Sequence, residues 1–231
     1  MKKILKENIK RSSFFPTLRA LLFDKEKFLA RMRTKRMLKR YLRKNKSLPN
    51  QLHFGCGNRY IEGWLNIDLK NSDVDIDFSQ GKLPFPSNHF NAVLSQHVIE
   101  HLEMKRELIP IFAEFRRILH DGGELWLSCP SIEKICKSYL SDGAQSLIDG
   151  KKKRFPNYST EGFPSAVVVN EIFYQKGEHV NLFDFELLRF LLQKVGFNQI
   201  EEVEEIQLVK RFGEFAFRND AEQTIYVKAT K

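Results

Sequence analysis

The stretch that decides the fold reads Leu52-His53-Phe54-Gly55-Cys56-Gly57, and it is followed after a short gap by Trp64-Leu65-Asn66-Ile67-Asp68. The apolar residues predict two short strands, at about 51–54 and 64–68. Glycines at a strand end let the backbone approach a ligand closely, because they carry no Cβ. Asp68, at the tip of the second strand, suits hydrogen bonds to a ribose diol. The stretch therefore predicts a nucleoside-binding crevice at the carboxyl ends of parallel strands.

The spacing of these residues does not match a dinucleotide-binding fingerprint. The position of its third glycine holds Tyr60, and Asp68 follows Gly57 by 11 residues, whereas the fingerprint needs about 20. The chain has no Gly-Lys-Ser/Thr sequence, which excludes a P-loop. Taken alone, Gly55-Cys56-Gly57 also fits a tight turn that binds nothing.

The composition favours one globular domain with an appendage. The 231 residues are 42% hydrophobic and 12% aromatic, enough for a substantial core. We expect no membrane-spanning helix, because no run of about 18 apolar residues occurs. We also expect no secretory signal, because no apolar region follows the charged start. The three cysteines are odd in number and lack metal-type spacing, which predicts reduced thiols in a cytoplasmic protein.

The positive charge is concentrated in an amino-terminal arm. Residues 1–46 hold 17 Lys/Arg and 3 Asp/Glu, although the whole chain has a net charge of only +9. Apolar side chains at helical spacing predict a helix over 14–46, with basic residues crowding its second half. Such a helix can lie on an anionic membrane or a nucleic-acid backbone, or its apolar stripe can pack on the domain. We place the arm at 1–48 and the main domain at 49–231.

The main domain alternates strand and helix signals, which predicts an α/β fold with a largely parallel sheet. Residues 131–178 show a less regular pattern. An acidic N-cap, Asp184, and a terminating glycine, Gly196, bound one of the predicted helices. The further predicted strands lie at 74–77, 90–95, 124–128, 200–208 and 222–229, and the predicted helices start near 97 and cover 107–120 and 184–195.

Several motifs in order then carry a resemblance. Together with the opening stretch, the chain resembles the class I S-adenosylmethionine-dependent methyltransferases of the type 11 family. The resemblance covers about 50–130, continues more weakly to 197 and leaves out the arm. It implies a Rossmann-like, seven-stranded, mostly parallel sheet with helices on both faces. The motifs are Asn-Ile-Asp-Leu (66–69), Ile-Asp-Phe (76–78), Leu-Pro-Phe (83–85), Phe-Asn-Ala-Val-Leu-Ser-Gln-His-Val-Ile-Glu-His-Leu (90–102) and Glu-Phe-Arg-Arg-Ile-Leu-His-Asp-Gly-Gly-Glu-Leu (114–125).

The resemblance implies S-adenosyl-L-methionine as the cofactor. The backbone at the first glycine loop would face its methionine part, Asp68 its ribose and Leu69 its adenine. Asp77 would accept a hydrogen bond from the adenine amino group, with the amide of Phe78 beside it. The residues implied to bind the cofactor are Phe54, Gly55, Cys56, Gly57, Asp68, Leu69, Asp77, Phe78, Ser95 and Gln96.

Two features depart from the usual family pattern. The segment between the first two strands is too short for the long first helix, which must shrink to about a turn. Family members associated with glycans and lipids are similar in this Gly-Trp-x-Asn-x-Asp shortening. Asn91 stands where the family commonly has Asp, and we interpret it as a turn or cap residue.

The residues His97-Val98-Ile99-Glu100-His101 also fit H-x-x-E-H, the zinc motif of inverted zincins. Alone, the motif would suggest a zinc hydrolase with Glu100 as base. A divalent ion held by His97, Glu100 and His101 to orient an acceptor oxygen is a second alternative. The motif begins at a strand tip in a methyltransferase-like order, so no metal is assigned.

Methyl transfer to a hydroxyl needs a base, and histidine suits that role at neutral pH. His97, at the tip of the fourth strand, is the first candidate, and His179 is the second. Residues 131–182, with aromatic and basic side chains, are predicted to supply the acceptor pocket. We predict a small-molecule, glycan or lipid-linked acceptor, as in polysaccharide biosynthesis, for a cytoplasmic enzyme that contacts the inner membrane surface through residues 14–46. An RNA-binding methyltransferase and a non-catalytic cofactor-binding subunit are the alternatives.

Overall fold

The sheet has seven strands in the order β3-β2-β1-β4-β5-β7-β6. The computed structural model describes residues 15–231. Strands β1 to β5 pair in parallel, and β7 runs antiparallel to both β5 and β6. This confirms the predicted seven-stranded, mostly parallel α/β fold. The strands are β1 (Gln51–Phe54), β2 (Leu65–Asp68), β3 (Val74–Asp75), β4 (Phe90–Gln96), β5 (Leu119–Pro130), β6 (Asn198–Val203) and β7 (Thr224–Thr230).

Helices cover both faces of the sheet. Successive strand residues point to opposite faces, so Val93 joins the larger core cluster and Leu94 the smaller one. Helices α2 and α6 pack into the larger cluster and α7 into the smaller one. The helices are α1 (Phe15–Asn45), α2 (Ile109–Ile118), α3 (Ile132–Asp142), α4 (Gln145–Arg154), α5 (Ala166–Tyr174), α6 (Phe185–Lys194) and α7 (Glu205–Arg211).

The prediction of a helix starting near His97 is wrong. His97 has a φ of +56°, in the left-handed region, so the chain turns sharply where β4 ends. A 3₁₀ turn at Ile99–His101 and a π-helical segment at Met104–Leu108 follow before α2 begins. The connection between β1 and β2 is formed by turns without a helix, as its shortness required. Asn91 is an exposed residue within β4, near the opposite end from His97, and does not cap a turn.

Two further predictions about secondary structure are wrong. Residues 205–208 begin helix α7 instead of extending a strand, because Glu204 and Gln207 form a capping box. Residues 131–178 are largely helical, since α3, α4 and α5 bury a small core of their own. That core comprises Ile135, Ala144, Leu147, Ile148, Val168 and Ile172.

Helix α1 lies along the β3 edge of the sheet. Ala30 is fully buried, and the Thr34 hydroxyl donates to the carbonyl oxygen of Asp75 at 2.7 Å. Met37, Leu38 and Tyr41 pack against the main core. The predicted helix is confirmed over 15–45, whereas Phe14 and the residues before it lie outside the described part of the chain. By covering β3, the helix shields a strand edge that would otherwise be open to pairing.

Within residues 15–231, each helix is either too short or too polar to cross a lipid bilayer.

Candidate active site

The first glycine loop leaves β1 in a conformation that needs glycine. Gly55 and Gly57 have φ values of +71° and +53°. A Cβ on Gly55 would lie 2.2 Å from Cγ2 of Val98, whereas one on Gly57 would meet no atom within 4 Å. The amide of Gly55 donates to the carbonyl oxygen of Ile67 at 2.8 Å, which ties the loop to β2. The loop is thus packed at Gly55 and open at Gly57, as a backbone cradle for a ligand requires.

Asp68 joins the tips of β1 and β2. Its Oδ2 accepts from the amide of Gly57 at 2.7 Å, and its Oδ1 accepts from the amide of Leu69 at 2.6 Å. Each carboxylate oxygen can accept a second hydrogen bond. Leu69 beside it is partly exposed. Asp68 therefore holds the glycine loop in place and keeps acceptor capacity for two hydroxyl groups.

Asp77 is held by residues from two elements. Its Oδ2 accepts from Nε of Arg31, on α1, at 2.6 Å, and its Oδ1 accepts from the Ser79 hydroxyl at 2.7 Å. Burial alone would raise the pKa of Asp77, but the bonds from Ser79 and Arg31 outweigh it and hold that pKa below its usual value. The carboxylate predicted to meet an adenine amino group is thus already bonded to the amino-terminal helix.

The aromatic side chains of Phe54 and Phe78 belong to the core. Their rings stack with centroids 3.9 Å apart, and both side chains are buried. Only the backbone of these two residues can therefore face a ligand. Cys56 is also buried, and that burial raises the pKa of its thiol to about 12. The Cys56 thiol is neutral at physiological pH and contributes no charge to the loop.

Ser95 and Gln96 end β4 next to the glycine loop. Ser95 pairs with Phe54 across the strands, and its buried hydroxyl has no hydrogen-bond partner within the described residues. Oε1 of Gln96 accepts from Nη1 of Arg59 at 3.5 Å. An unpartnered buried hydroxyl at a strand tip is costly unless a ligand satisfies it. Ser95 therefore has capacity for a ligand contact at this edge of the sheet.

His97 follows Gln96 and lies between two carboxylates. Its Nε2 is 3.1 Å from Oδ2 of Asp220 and 3.2 Å from the hydroxyl of Thr224. Its Nδ1 is 3.4 Å from Oε1 of Glu100, a longer contact. Burial lowers the pKa of His97, but the two carboxylates outweigh it and raise that pKa above its usual value. The result is an imidazole with a strengthened affinity for protons.

Asp220 and its neighbours could not be found from the sequence motifs. Asp220 accepts from the Tyr226 hydroxyl at 2.7 Å and from Nε of Arg218 at 3.1 Å. Burial would raise its pKa, but His97, Tyr226 and Arg218 hold it well below its usual value. The acid lies 123 positions from His97 and belongs to no motif of the resemblance. Its position before β7 gave no local signal of this contact.

The two histidines predicted as bases converge on Glu100. Nε2 of His179 is 3.8 Å from Oε1 of Glu100, the same oxygen that Nδ1 of His97 contacts at 3.4 Å. Nδ1 of His179 bonds the carbonyl oxygen of Ile172 at 2.7 Å. Burial lowers the pKa values of His179 and of His101. The structure therefore brings His97 and His179 into one cluster, which sequence separation alone did not require.

A separate cavity lies on the α1 side of the sheet. It has a volume of about 580 Å³ and is lined by residues of α1 and of the segments before β2 and β3, including Tyr41, Tyr60 and Asp73. Those segments enter the amino ends of the strands, whereas Asp68, Ser95 and His97 lie at the carboxyl ends. The cavity is therefore distinct from the predicted cofactor crevice.

Comparison with protein families finds a match for part of the chain. Residues 63–127, from the turn before β2 into β5, match the family model described as a methyltransferase domain. No curated protein shows significant sequence similarity to the chain.

Several solved structures are similar in fold. A SAM-dependent methyltransferase from Archaeoglobus fulgidus is 17% identical, over 87% of this chain and 94% of that one, with a TM-score of 0.47. Phosphoethanolamine N-methyltransferase 2 from Haemonchus contortus, in complex with S-adenosyl-L-methionine, is 14% identical over 85% of this chain and 52% of that one, with a TM-score of 0.43. An S-adenosylmethionine-dependent methyltransferase from Mesorhizobium loti is 16% identical over 96% of this chain and 100% of that one, with a TM-score of 0.41.

The family model matches residues 63–127, which is less than a third of the chain. The match includes β2, β3, β4 and most of β5, which are four of the five parallel strands, and it leaves out β1. The antiparallel β7 between β5 and β6 completes the predicted class I arrangement. The strand order and the match of residues 63–127 agree with the resemblance to the class I S-adenosylmethionine-dependent methyltransferases.

Proposed function

We propose that the chain moves a methyl group from S-adenosyl-L-methionine to a hydroxyl oxygen of a small-molecule, glycan or lipid-linked acceptor. The observation that carries the choice of oxygen is the position of His97. It lies at the tip of β4, and its ring is fixed by Asp220 and Thr224 on one nitrogen while the other makes only the longer contact to Glu100. A hydroxyl acceptor needs such a base, because its proton must leave as the new bond forms.

The residues at the strand tips fit the cofactor. The open side of Gly57 and the free hydroxyl of Ser95 suit the methionine part, and the spare acceptor capacity of Asp68 suits a ribose diol. When bound, the cofactor supplies an electrophilic methyl group on a positively charged sulfur. The chain has to hold the acceptor in line with that methyl and exclude water.

Asp220 would keep the His97 ring in a productive orientation. A buried carboxylate bonded to one ring nitrogen fixes the tautomer and stabilises the charged imidazole, as in a catalytic triad. The other nitrogen, Nδ1, would then take the proton of the acceptor hydroxyl. The proton would pass from the acceptor oxygen to Nδ1 of His97 as that oxygen takes the methyl group that the bound cofactor would supply. His179 is the alternative base, since burial lowers its pKa and keeps it neutral.

Residues 131–182 would bind the acceptor. Phe155, Phe163 and Tyr174 are largely exposed, whereas Tyr158 and Phe173 pack on the small core of α3, α4 and α5. Exposed aromatic faces stack well on sugar rings and apolar chains. The basic end of α4, residues 151–154, adds positive charge nearby along the chain, although Lys151 and Arg154 already pair with acids. These features support a glycan- or lipid-linked acceptor, as in polysaccharide biosynthesis.

The role of His97 is tested by a pair of substitutions. His97→Ala and His97→Asn should each lower turnover by about 10²–10⁴-fold, the usual effect of losing a general base. Asn tolerates the left-handed φ of this position, so it separates chemistry from backbone strain. Calorimetry should find cofactor binding within a few-fold of wild type. Wild-type turnover in His97→Asn would remove His97 from the mechanism. Cofactor binding by the wild type without turnover on any acceptor tried would favour a non-catalytic subunit.

Helix α1 supports a second proposal, contact with an anionic membrane on the cytoplasmic side. Leu21, Phe28 and Met32 lie on one side of the helix, and each is more than half exposed. This side faces away from Ala30 and Tyr41, which pack on the domain. Exposed basic residues continue the same side of the helix: Lys25, Lys35, Arg36, Lys39 and Arg43. A helix face with apolar and basic side chains suits a lipid surface.

Sedimentation with vesicles tests the membrane proposal. The chain should sediment with vesicles that contain anionic lipid and should remain in solution with neutral ones. Phe28→Ser combined with Met32→Ser should weaken the binding, while Glu26→Ser, on a different side of α1, should not. Binding to RNA with no preference for anionic vesicles would contradict the membrane proposal and support the RNA-binding alternative.

A further inference from the structure

Glu100, His101 and His179 form a cluster with the donor set of a metal site. One ligand atom from each residue lies within 4.8 Å of the other two. Glu100 and His101 are adjacent in the chain, whereas His179 comes from the segment after α5. Two imidazoles and one carboxylate are the protein ligands of many catalytic zinc sites.

The hydrogen bonds of the two histidines determine which nitrogen is free. Nδ1 of His101 lies 3.1 Å from the carbonyl oxygen of Glu178, and Nδ1 of His179 lies 2.7 Å from that of Ile172. A carbonyl oxygen only accepts, so each Nδ1 carries the proton and each Nε2 carries a lone pair. Histidines that bind metals in proteins are held in this way, with the second nitrogen donating to a carbonyl or carboxylate.

The buried polar atoms of the cluster lack partners. Both carboxylate oxygens of Glu100, and Nε2 of His179, are buried and have no hydrogen-bond partner within the described residues. The Glu100 side chain is 1% exposed and that of His179 is 2% exposed. A buried carboxylate without donors is costly unless a cation lies close to it. Nδ1 of His97 lies 3.4 Å from Oε1 of Glu100, but its ring also faces Asp220.

The two segments that carry the ligands are fixed to one another. The carbonyl oxygen of Glu100 accepts from the amides of Val180 at 2.9 Å and Asn181 at 3.2 Å. The Asn181 side chain donates to the carbonyl oxygen of Leu102. His101 is partly exposed, which provides a path from solvent. The ligand atoms are therefore brought together by the backbone, and side-chain rotation is enough to reach the roughly 3.4 Å spacing of a tetrahedral site.

We propose that Glu100, His101 and His179 bind one divalent transition-metal ion of the zinc class, through one carboxylate oxygen and the two Nε2 atoms. Imidazole nitrogen favours such an ion over Mg²⁺ or Ca²⁺, which prefer oxygen ligands. Three protein ligands leave a coordination position for an oxygen. That this oxygen belongs to the acceptor depends on the proposed function, whereas metal binding itself does not.

The set differs from the one suggested by the H-x-x-E-H spacing. His97 is held by Asp220 and Thr224 through Nε2, and it is not one of the three proposed metal ligands. His179 takes its place, although it lies 78 positions after His101. No spacing rule in the sequence could have selected it.

The test is calorimetric titration of the full chain with Zn²⁺ after treatment with a chelator. We expect one ion per chain, with no comparable binding of Mg²⁺. His101→Ala and His179→Ala should each weaken Zn²⁺ binding at least tenfold, whereas His120→Ala, at an exposed histidine of β5, should leave it unchanged. If His179→Ala does not fold, His101→Ala, at a partly exposed residue, is compared with the control instead.

Absence of one-to-one Zn²⁺ binding, or equal binding by wild type, His101→Ala and His179→Ala, would overturn the metal site. The same samples are titrated with S-adenosyl-L-methionine. Cofactor binding without Zn²⁺ binding removes the metal site and leaves the proposed function standing. Zn²⁺ binding that needs both histidines, without cofactor binding, keeps the metal site and removes the proposed function.

Discussion

The two halves of the carboxyl edge of the sheet are built differently. At the tips of β1 and β2, Gly57 bonds Asp68 and Gly55 bonds Ile67, so each contact joins residues within about a dozen positions. At the tip of β4, His97 meets Asp220 and Glu100 meets His179, which are far apart in the chain. The first half is a local backbone structure, and the second is a long-range assembly of charged groups.

This difference explains what each half can tolerate. The half at the tips of β1 and β2 depends on φ values and on close packing of the backbone, so substitutions that add atoms should destabilise it most. The β4 half depends on charge compensation inside the protein, so removal of one charged partner should harm it most. Substitutions in each half separate the effects of backbone packing from those of charge compensation.

Gly55→Ala should have the largest effect on stability. The new Cβ would clash with Val98, and the alanine backbone would have to keep a φ of +71°. Overpacking and left-handed strain together should lower the free energy of unfolding by about 4 kcal/mol. Gly57→Ala is the matched control, because it adds similar strain without a clash and should cost about 1 kcal/mol. Urea denaturation measures both, and equal losses would show that the Val98 contact is unimportant.

The buried side chain of His53, in β1, should make the free energy of unfolding depend on pH. Burial lowers the pKa of His53 to about 4, while Nδ1 keeps a hydrogen bond to Asn66. Between the usual pKa near 6.5 and this value, the unfolded chain binds a proton that the folded chain rejects, so stability falls as pH falls. The loss should approach about 3 kcal/mol by pH 4.

His53→Asn removes the titrating group and retains a donor near Nδ1. The difference in unfolding free energy between wild type and this variant should therefore change between pH 7 and pH 4. The comparison cancels the other groups that titrate in this range, including His97, whose raised pKa acts in the opposite direction. A difference that stays constant with pH would show that His53 is not forced to remain neutral.

Arg31→Ala should have the smallest effect. Arg31 is about half exposed, so its pair with Asp77 contributes less than about 1 kcal/mol to stability. Its removal leaves Asp77 free to accept from an adenine amino group, and we expect cofactor binding to tighten by up to about fivefold. Arg36→Ala, on the exposed side of α1, is the control. Weaker binding in Arg31→Ala would mean that Arg31 supports the cofactor site instead of competing for Asp77.

The sequence predicted the geometry at the tips of β1 and β2 well because its information is local. The spacing of Gly55, Gly57 and Asp68 defined two strand tips, and hydrogen bonds from the glycine loop to Asp68 and Ile67 join them. The β4 half could be predicted only in part. His97 and His179 were selected by residue type, but their meeting at Glu100 depends on how the segment after α5 folds back over β4.

The wrongly predicted features also depend on contacts that local sequence does not indicate. Residues 131–178 were predicted to be irregular because their helices pack mainly on one another and show no stripe for the main core. The bond between Arg31 and Asp77 was not anticipated, since the basic charge of the arm suggested an external partner. Asp75 and Asp77 at the β3 edge take up part of that charge within the chain.

The most direct test of the central claim is calorimetric titration of the purified chain with S-adenosyl-L-methionine and its demethylated product. We predict one binding site per chain, and at least about a 100-fold loss of affinity in Asp68→Ala, which removes both the proposed ribose contact and the bond to Gly57. Asp121→Ala, at an exposed acid far from the crevice, should bind like wild type. No heat with either compound, or unchanged affinity in Asp68→Ala, would contradict the assignment of the strand tips as the cofactor site.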